Sequence, residues 1–180
     1  MIAHKRLEFY WRITAAHTIS YFIAGIFAII FLNYRELFNV GALSFMRETS
    51  SPWVAAGPGL QLIRGIILGL ILYPFASIFL DTKWGWLKFW VLTFGLSYIL
   101  TISAAVGSFE GIIYTNIPLK THLHGLPEIL LYNSLFTIIL WAWYKMPKKT
   151  FNIFAIVLTA IILLMSTMGV LASMGILQTL

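Results

Sequence analysis

FNIFAIVLTAIILLMSTMGVLASMGIL, residues 151–177, contains no Asp, Glu, Lys or Arg. As a helix it would rise about 40 Å at 1.5 Å per residue, more than the roughly 30 Å hydrocarbon core of a bilayer. In water such a segment leaves apolar surface uncovered on every side. In lipid it satisfies its backbone internally and exposes only hydrocarbon. Ser166, Gly169, Ala172 and Ser173 recur along it at close-packing spacing, which marks a face that a second helix can approach.

The rest of the chain repeats this composition. Of its 180 residues 60% are hydrophobic and only 10% charged, against about 25% charged in soluble domains. The expectation is an all-α, polytopic integral membrane protein: one transmembrane domain, 1–180, with spans at 13–33, 60–80, 87–106, 126–144 and 151–177, a bundle of about five transmembrane helices. The first apolar run is too long for the core of a signal peptide, about 7 to 15 residues, and ends in Asn33-Tyr34-Arg35-Glu36. Pro74 is expected to kink the second span, and Gly65 with Gly69 offers it a small-residue face. Between the first two spans, Leu37, Phe38, Val40, Leu43, Phe45 and Met46 alternate with Arg35, Glu36, Arg47 and Glu48, the outline of an interfacial helix over 35–48. Cysteine is absent, which excludes disulfides, thiolate metal sites and thiol nucleophiles.

The net charge is +6, but the basic residues are scattered around apolar runs and form no stripe that follows a phosphate backbone, so no nucleic acid is expected as partner. Counted across successive spans, Lys5, Arg6, Arg12, Lys83, Lys88, Lys145, Lys148 and Lys149 share one side. Arg35, Arg47 and Lys120 fall on the other, with Arg64 just inside the membrane there. Positive charge collects on the cytoplasmic side, which predicts a plasma (inner) membrane protein with its N-terminus cytoplasmic and its C-terminus extracytoplasmic. Tyr10, Trp11, Trp84, Trp86, Trp141, Trp143 and Tyr144 form an aromatic belt at the same boundary. Membrane lipids are the expected partners, with a homo-oligomer or a membrane complex as the further partner class.

Chemistry concentrates in the polar island Ser108–Asn133, SFEGIIYTNIPLKTHLHGLPEILLYN. His124, Glu128 and Tyr132 are spaced four apart and share a helix face, with Asn133 beside it; Gln61 and Arg64 share a face on the second span. An arginine within a span costs roughly 2.5 to 3.5 kcal/mol on insertion scales, so Arg64 calls for a partner, and Glu110 and Glu128 are the acidic candidates. This predicts an outward-facing polar pocket that binds, and in its fullest form modifies, an anionic lipid or lipid-linked substrate. Glu128 and His124 are the catalytic candidates, since His and Glu are common proton carriers. Arg64, Gln61, Glu110, Tyr114, Tyr132 and Asn133 are the binding candidates. The alternative is a small oligomeric transporter or accessory subunit in which Arg64 and Glu128 form a structural lock.

His122, His124 and Glu128 are ligand types that suit a divalent metal, yet the spacing is not diagnostic and His122 precedes the helix that carries Glu128; no metal is assigned. A bis-histidine haem is disfavoured, because His17 falls near one end of its span while His122 and His124 fall near the other. No other cofactor is legible. The topology has a direct check: a reporter fused after Leu180 should lie outside the cytoplasm, and a cytoplasmic signal would reverse the assignment.

Overall fold

The computed structural model describes residues 2–38 and 41–178, and these hold helices and turns with no β-strand. The long elements are α1 (Ile2–Phe31), α3 (Pro52–Leu72), α8 (Leu126–Lys145) and α9 (Lys149–Ser173). Short ones connect them: α2 (Tyr34–Leu37), α4 (Ala76–Leu80), α5 (Gly85–Phe94), α6 (Phe109–Tyr114) and α7 (Leu119–His124). Among the described residues four stretches are long and apolar enough to cross a membrane: Arg6–Phe31, Pro52–Leu80, Leu119–Lys145 and Lys149–Ser173. The chain is therefore an all-α membrane bundle.

α1 stands at the centre. Its spanning stretch is 56% buried against 22% in each of the other three, and every residue from Arg12 to Ser20 is buried. Thr14, Ala15, Ala16, Thr18 and Ser20 keep that stretch narrow, so neighbours close on it from several sides. α3 runs antiparallel to it through the two glycines singled out by their spacing. A Cβ on Gly65 would stand 2.7 Å from the Thr14 Cα, and one on Gly69 would stand 3.3 Å from the Tyr10 Cα. α8 and α9 pack on other faces of α1, and α3 also packs on α9. There the Ser166 hydroxyl donates to the Ala55 carbonyl at 2.7 Å and accepts from the Gly59 N–H at 3.2 Å, while Gly169 lies against Ala55.

At the end where α1 begins, the core is aromatic and aliphatic: Phe9, Ile13, Leu72, Phe79, Phe89, Phe136 and Leu140. The Arg12 guanidinium is buried there, paired with Glu8, and lies 5.6 Å from the centre of the Trp143 ring. Arg6 donates to the Tyr73 hydroxyl at 3.1 Å.

Several boundaries differ from those expected. The second span begins at Pro52 rather than 60, because Pro52 occupies the first helical turn and Gly57-Pro58-Gly59 lies inside the helix instead of breaking it. Pro58 there forfeits only one backbone bond, and Ser166 supplies polar contact beside it. Pro74 does interrupt its helix, as the 3₁₀ turn Tyr73–Phe75 between α3 and α4. The third span, expected over 87–106, is α5 followed by a π-helical turn, Gly95–Ile99; the chain from 100 to 108 is irregular. No continuous helix covers 35–48: α2 is followed, after residues outside those described, by the 3₁₀ turn Gly41–Leu43. Left-handed backbone at Asn33 (φ 52°) and Gly41 (φ 68°) breaks the helical path. Val40 lies outside the described residues.

The α1–α3 contact yields a stability prediction. Gly65→Val should destabilise the protein by about 1–3 kcal/mol or more through overpacking against the Thr14 backbone, read as a lower thermal midpoint in detergent. Gly95→Ala, whose new Cβ meets nothing within 4 Å, is the control and should lose nothing.

Candidate functional site

At the end of the bundle where α1 finishes, the helices enclose a cavity of about 700 Å³. Its walls come from the last third of α1 (Tyr21, Phe22, Gly25, Ile26, Ile29), the start of α3 (Trp53, Val54, Gly57, Pro58) and the α7–α8 joint (His124, Gly125, Glu128, Ile129). The connection after α1 forms the roof with Leu37, Phe38, Leu43, Phe45, Met46 and Arg47. Of these, Leu43 is buried, while Phe45 and Met46 are exposed. Gly25 and Gly57 both line the space, and a Cβ on either would meet nothing within 4 Å. Neither glycine serves close packing; both keep volume open.

Polar side chains on the lining include Tyr34, Glu128, His124, His122 and Arg47. The Tyr34 hydroxyl donates to the Glu128 carboxylate at 2.5 Å, and the Tyr34 and His124 ring centres are 6.3 Å apart. Burial, and then the bond to Glu128, raise the Tyr34 phenol above its ordinary value, so it stays a donor. His124 Nε2 donates to the Leu32 carbonyl at 2.7 Å, satisfying an acceptor that the end of α1 leaves unpaired. Its Nδ1 is then an acceptor. Arg47 lies 5.6 Å from the centre of the Trp53 ring.

Deeper in the bundle, a second polar group centres on His17. The Gln61 amide nitrogen donates to the Gly57 carbonyl at 3.3 Å, which leaves its oxygen facing His17 Nε2 at 3.0 Å. Nε2 must therefore carry the proton, and Nδ1 accepts from the Tyr132 hydroxyl at 2.6 Å. The chain of donors is fully directed: Tyr132 to His17 to Gln61 to Gly57. Arg64, on the same helix as Gln61, is exposed and forms no hydrogen bond or ion pair among the described residues.

The structure thus divides the sequence candidates into groups. Glu128, His124 and His122 line the cavity, while Gln61 and Tyr132 bond to His17 and Arg64 is exposed on α3. Arg64 lies deeper than its expected place just inside the boundary, because α3 begins at Pro52. Glu128 bonds to Tyr34 and forms no ion pair with Arg64. Asn133 belongs to the α5–α8 joint, where it accepts from Thr93 at 2.6 Å and donates to the Trp90 carbonyl at 2.9 Å. Glu110 and Tyr114 lie on α6 away from the cavity lining, with Tyr114 74% exposed. His122 is buried and holds the loop before it: Nδ1 accepts from the Gly107 N–H at 2.9 Å, and Nε2 lies 3.4 Å from Thr115 Oγ1. His122 and His124 therefore serve different backbone partners, and among the described residues no three metal-ligating side chains converge.

Tyr34, Arg47 and His17 were not identified as site residues from sequence. The first two belong to a connection whose contacts are long-range. His17 lies on a helix buried all round, where no amphipathic stripe tells which neighbour it meets. Tyr132→Phe removes the donor to a buried imidazole nitrogen and should cost about 1–3 kcal/mol, measured by thermal unfolding in detergent; Tyr114→Phe, at an exposed site, should be neutral.

No protein-family model, curated protein or solved structure matches the chain, so the reading of this site rests on its residues and their geometry.

Proposed function

We propose that the protein binds an amphipathic, anionic lipid or lipid-linked molecule in the cavity beneath the 34–51 connection, with Glu128 and His124 as the proton-carrying groups beside it. The observation that carries this reading is an apolar cavity of about 700 Å³ held open by two glycines that no packing contact requires. A volume in that range is typical of a small-molecule site, with apolar walls and a few placed polar groups. The carboxylate of Glu128, fixed by Tyr34, and the free Nδ1 of His124 are those groups. Both are able to exchange a proton with a bound molecule. Arg47, on the cavity lining, supplies positive charge that an acidic ligand needs.

The same reading places the cavity toward the outer face of the plasma membrane. Support comes from charge: Arg12, Lys83, Lys88, Lys145, Lys148 and Lys149 belong to the opposite end of the bundle, where α1, α5 and α9 begin and α8 finishes, and that end is the cytoplasmic one by the positive-inside rule.

Filling the cavity tests this. Gly25→Leu and Gly57→Leu place side chains into open space, and replacing a mid-helix glycine should leave stability unchanged or raise it by about 0.5–1 kcal/mol. Native mass spectrometry of the wild-type protein in mild detergent should show a co-purifying amphiphile that both variants lack. A wild-type protein free of lipid, or filled variants that retain it, would sink the proposal; a co-purifying protein in its place would favour an accessory subunit. Glu128→Gln should keep the ligand but abolish any turnover of it.

A further inference from the structure

Trp84, Leu87, Lys88, Val91 and Leu92 recur at three- and four-residue spacing, which puts them on one face of α5, and together they line a shallow groove of about 420 Å³. Leu92 is half-buried against the aromatic core and forms the inner side, while Trp84, Leu87 and Val91 are exposed. From Trp84 to Leu92 the groove descends about 12 Å along the helix. Lys88 is the one charged residue on it.

The turn above the groove is tightly tied. A Cβ on Gly85 would stand 2.1 Å from the Phe79 carbonyl oxygen, so the chain doubles back there only because this residue has none. Trp84, just before it, is held in left-handed backbone at φ 64°, uncommon for a bulky residue. Thr82 donates to the Ile78 carbonyl at 2.6 Å and accepts from Lys88 Nζ at 3.1 Å. The ammonium is thereby drawn up from the helix to the turn, and an ammonium has two further protons to donate. The Tyr144 hydroxyl donates to Asp81 at 2.9 Å, which fastens the end of α8, where exposed Lys145 follows, to the turn that carries exposed Lys83.

Charge separates this end of the bundle from the other. Where α1 begins and α8 finishes, Arg6, Arg12, Lys83, Lys88, Lys145, Lys148 and Lys149 stand against Glu8 and Asp81 alone among the described residues. Glu8 pairs with Arg12, and Asp81 accepts from Tyr144. At the cavity end Arg35, Arg47 and Lys120 meet Glu36, Glu48, Glu110 and Glu128, so charge nearly cancels. A surplus of lysine at a membrane surface attracts anionic lipid and does little for a zwitterionic one. Tryptophan settles at the headgroup level, which puts the mouth of the groove there and its aliphatic part among acyl chains.

We propose that the α5 groove is a binding site for an anionic phospholipid of the adjacent leaflet, its phosphate held by Lys88 with Lys83 and Lys145 around it, and one acyl chain lying along Leu87, Val91 and Leu92 beneath Trp84. The groove shares no lining residue with the cavity under the 34–51 connection, and the site stands without the function proposed for that cavity.

The test is a native mass spectrometry titration of delipidated full-length protein with phosphatidylglycerol and with phosphatidylcholine of the same chains. It is run on wild type and in the Gly57→Leu background, where the filled cavity does not compete. In both, phosphatidylglycerol should bind about fivefold or more tightly than phosphatidylcholine. Lys88→Gln should remove that preference and Lys88→Arg should keep it. Lys149→Gln, the same loss of charge away from the groove, should change binding by no more than about twofold, since exposed charges at a distance are screened. Val91→Trp fills the groove with every charge in place and should also lose the lipid. Thermal unfolding checks that each variant is folded. Equal binding of the two lipids would overturn the site. So would equal losses in Lys88→Gln and Lys149→Gln, or a Val91→Trp protein that binds as before, because either shows a diffuse field and no seat. A preference that vanishes in the Gly57→Leu background would place the lipid in the cavity and equally overturn it.

Discussion

The fold depends on the narrowness of α1 between Arg12 and Ser20. Lipid gives helices no hydrophobic reason to associate, so a bundle holds only where backbones come close enough for dispersion and short polar contacts to add up. Small residues on α1 permit that approach on several sides at once. Gly65 and Gly69 let α3 settle on Thr14 and Tyr10, and Ser166 with Gly169 brings α9 onto α3 in turn. The same helix that gathers the bundle also carries His17 into its middle, so the buried hydrogen-bond chain through Gln61 and Tyr132 is a by-product of the packing centre.

Much of this was legible in the sequence, and the limits follow from physics. Apolar length and charge scarcity gave the class, and Gly65-x-x-x-Gly69 gave a true contact because two glycines four apart have few uses within a span. The start of α3 was misplaced because Gly57-Pro58-Gly59 resembles a loop in water, whereas in a membrane helix a neighbouring hydroxyl compensates the missing donor. His17 was read as peripheral because its span was taken to begin at 13, although the helix begins at Ile2. The partners of Tyr34 and His124 are out of reach of periodicity, since both bonds join residues more than ninety positions apart.

The site shows how a membrane protein divides labour between glycine's two properties. Gly65 and Gly69 are small so that something else can be near. Gly25 and Gly57 are small so that nothing is. Spacing alone does not distinguish these roles, since each needs the position of the neighbouring helix.

The shortness of the α5 segment bears on the surrounding bilayer. Its α-helical and π-helical turns together rise only about 22 Å, less than the hydrocarbon core they face, and non-helical backbone follows from 100 to 108. Such backbone is tolerated at membrane depth only beside protein or water, so lipids next to α5 must thin or tilt to match it. The α5 flank therefore offers lipid a shorter helical length than the four long stretches do. Membrane thickness becomes a variable that acts on this flank first.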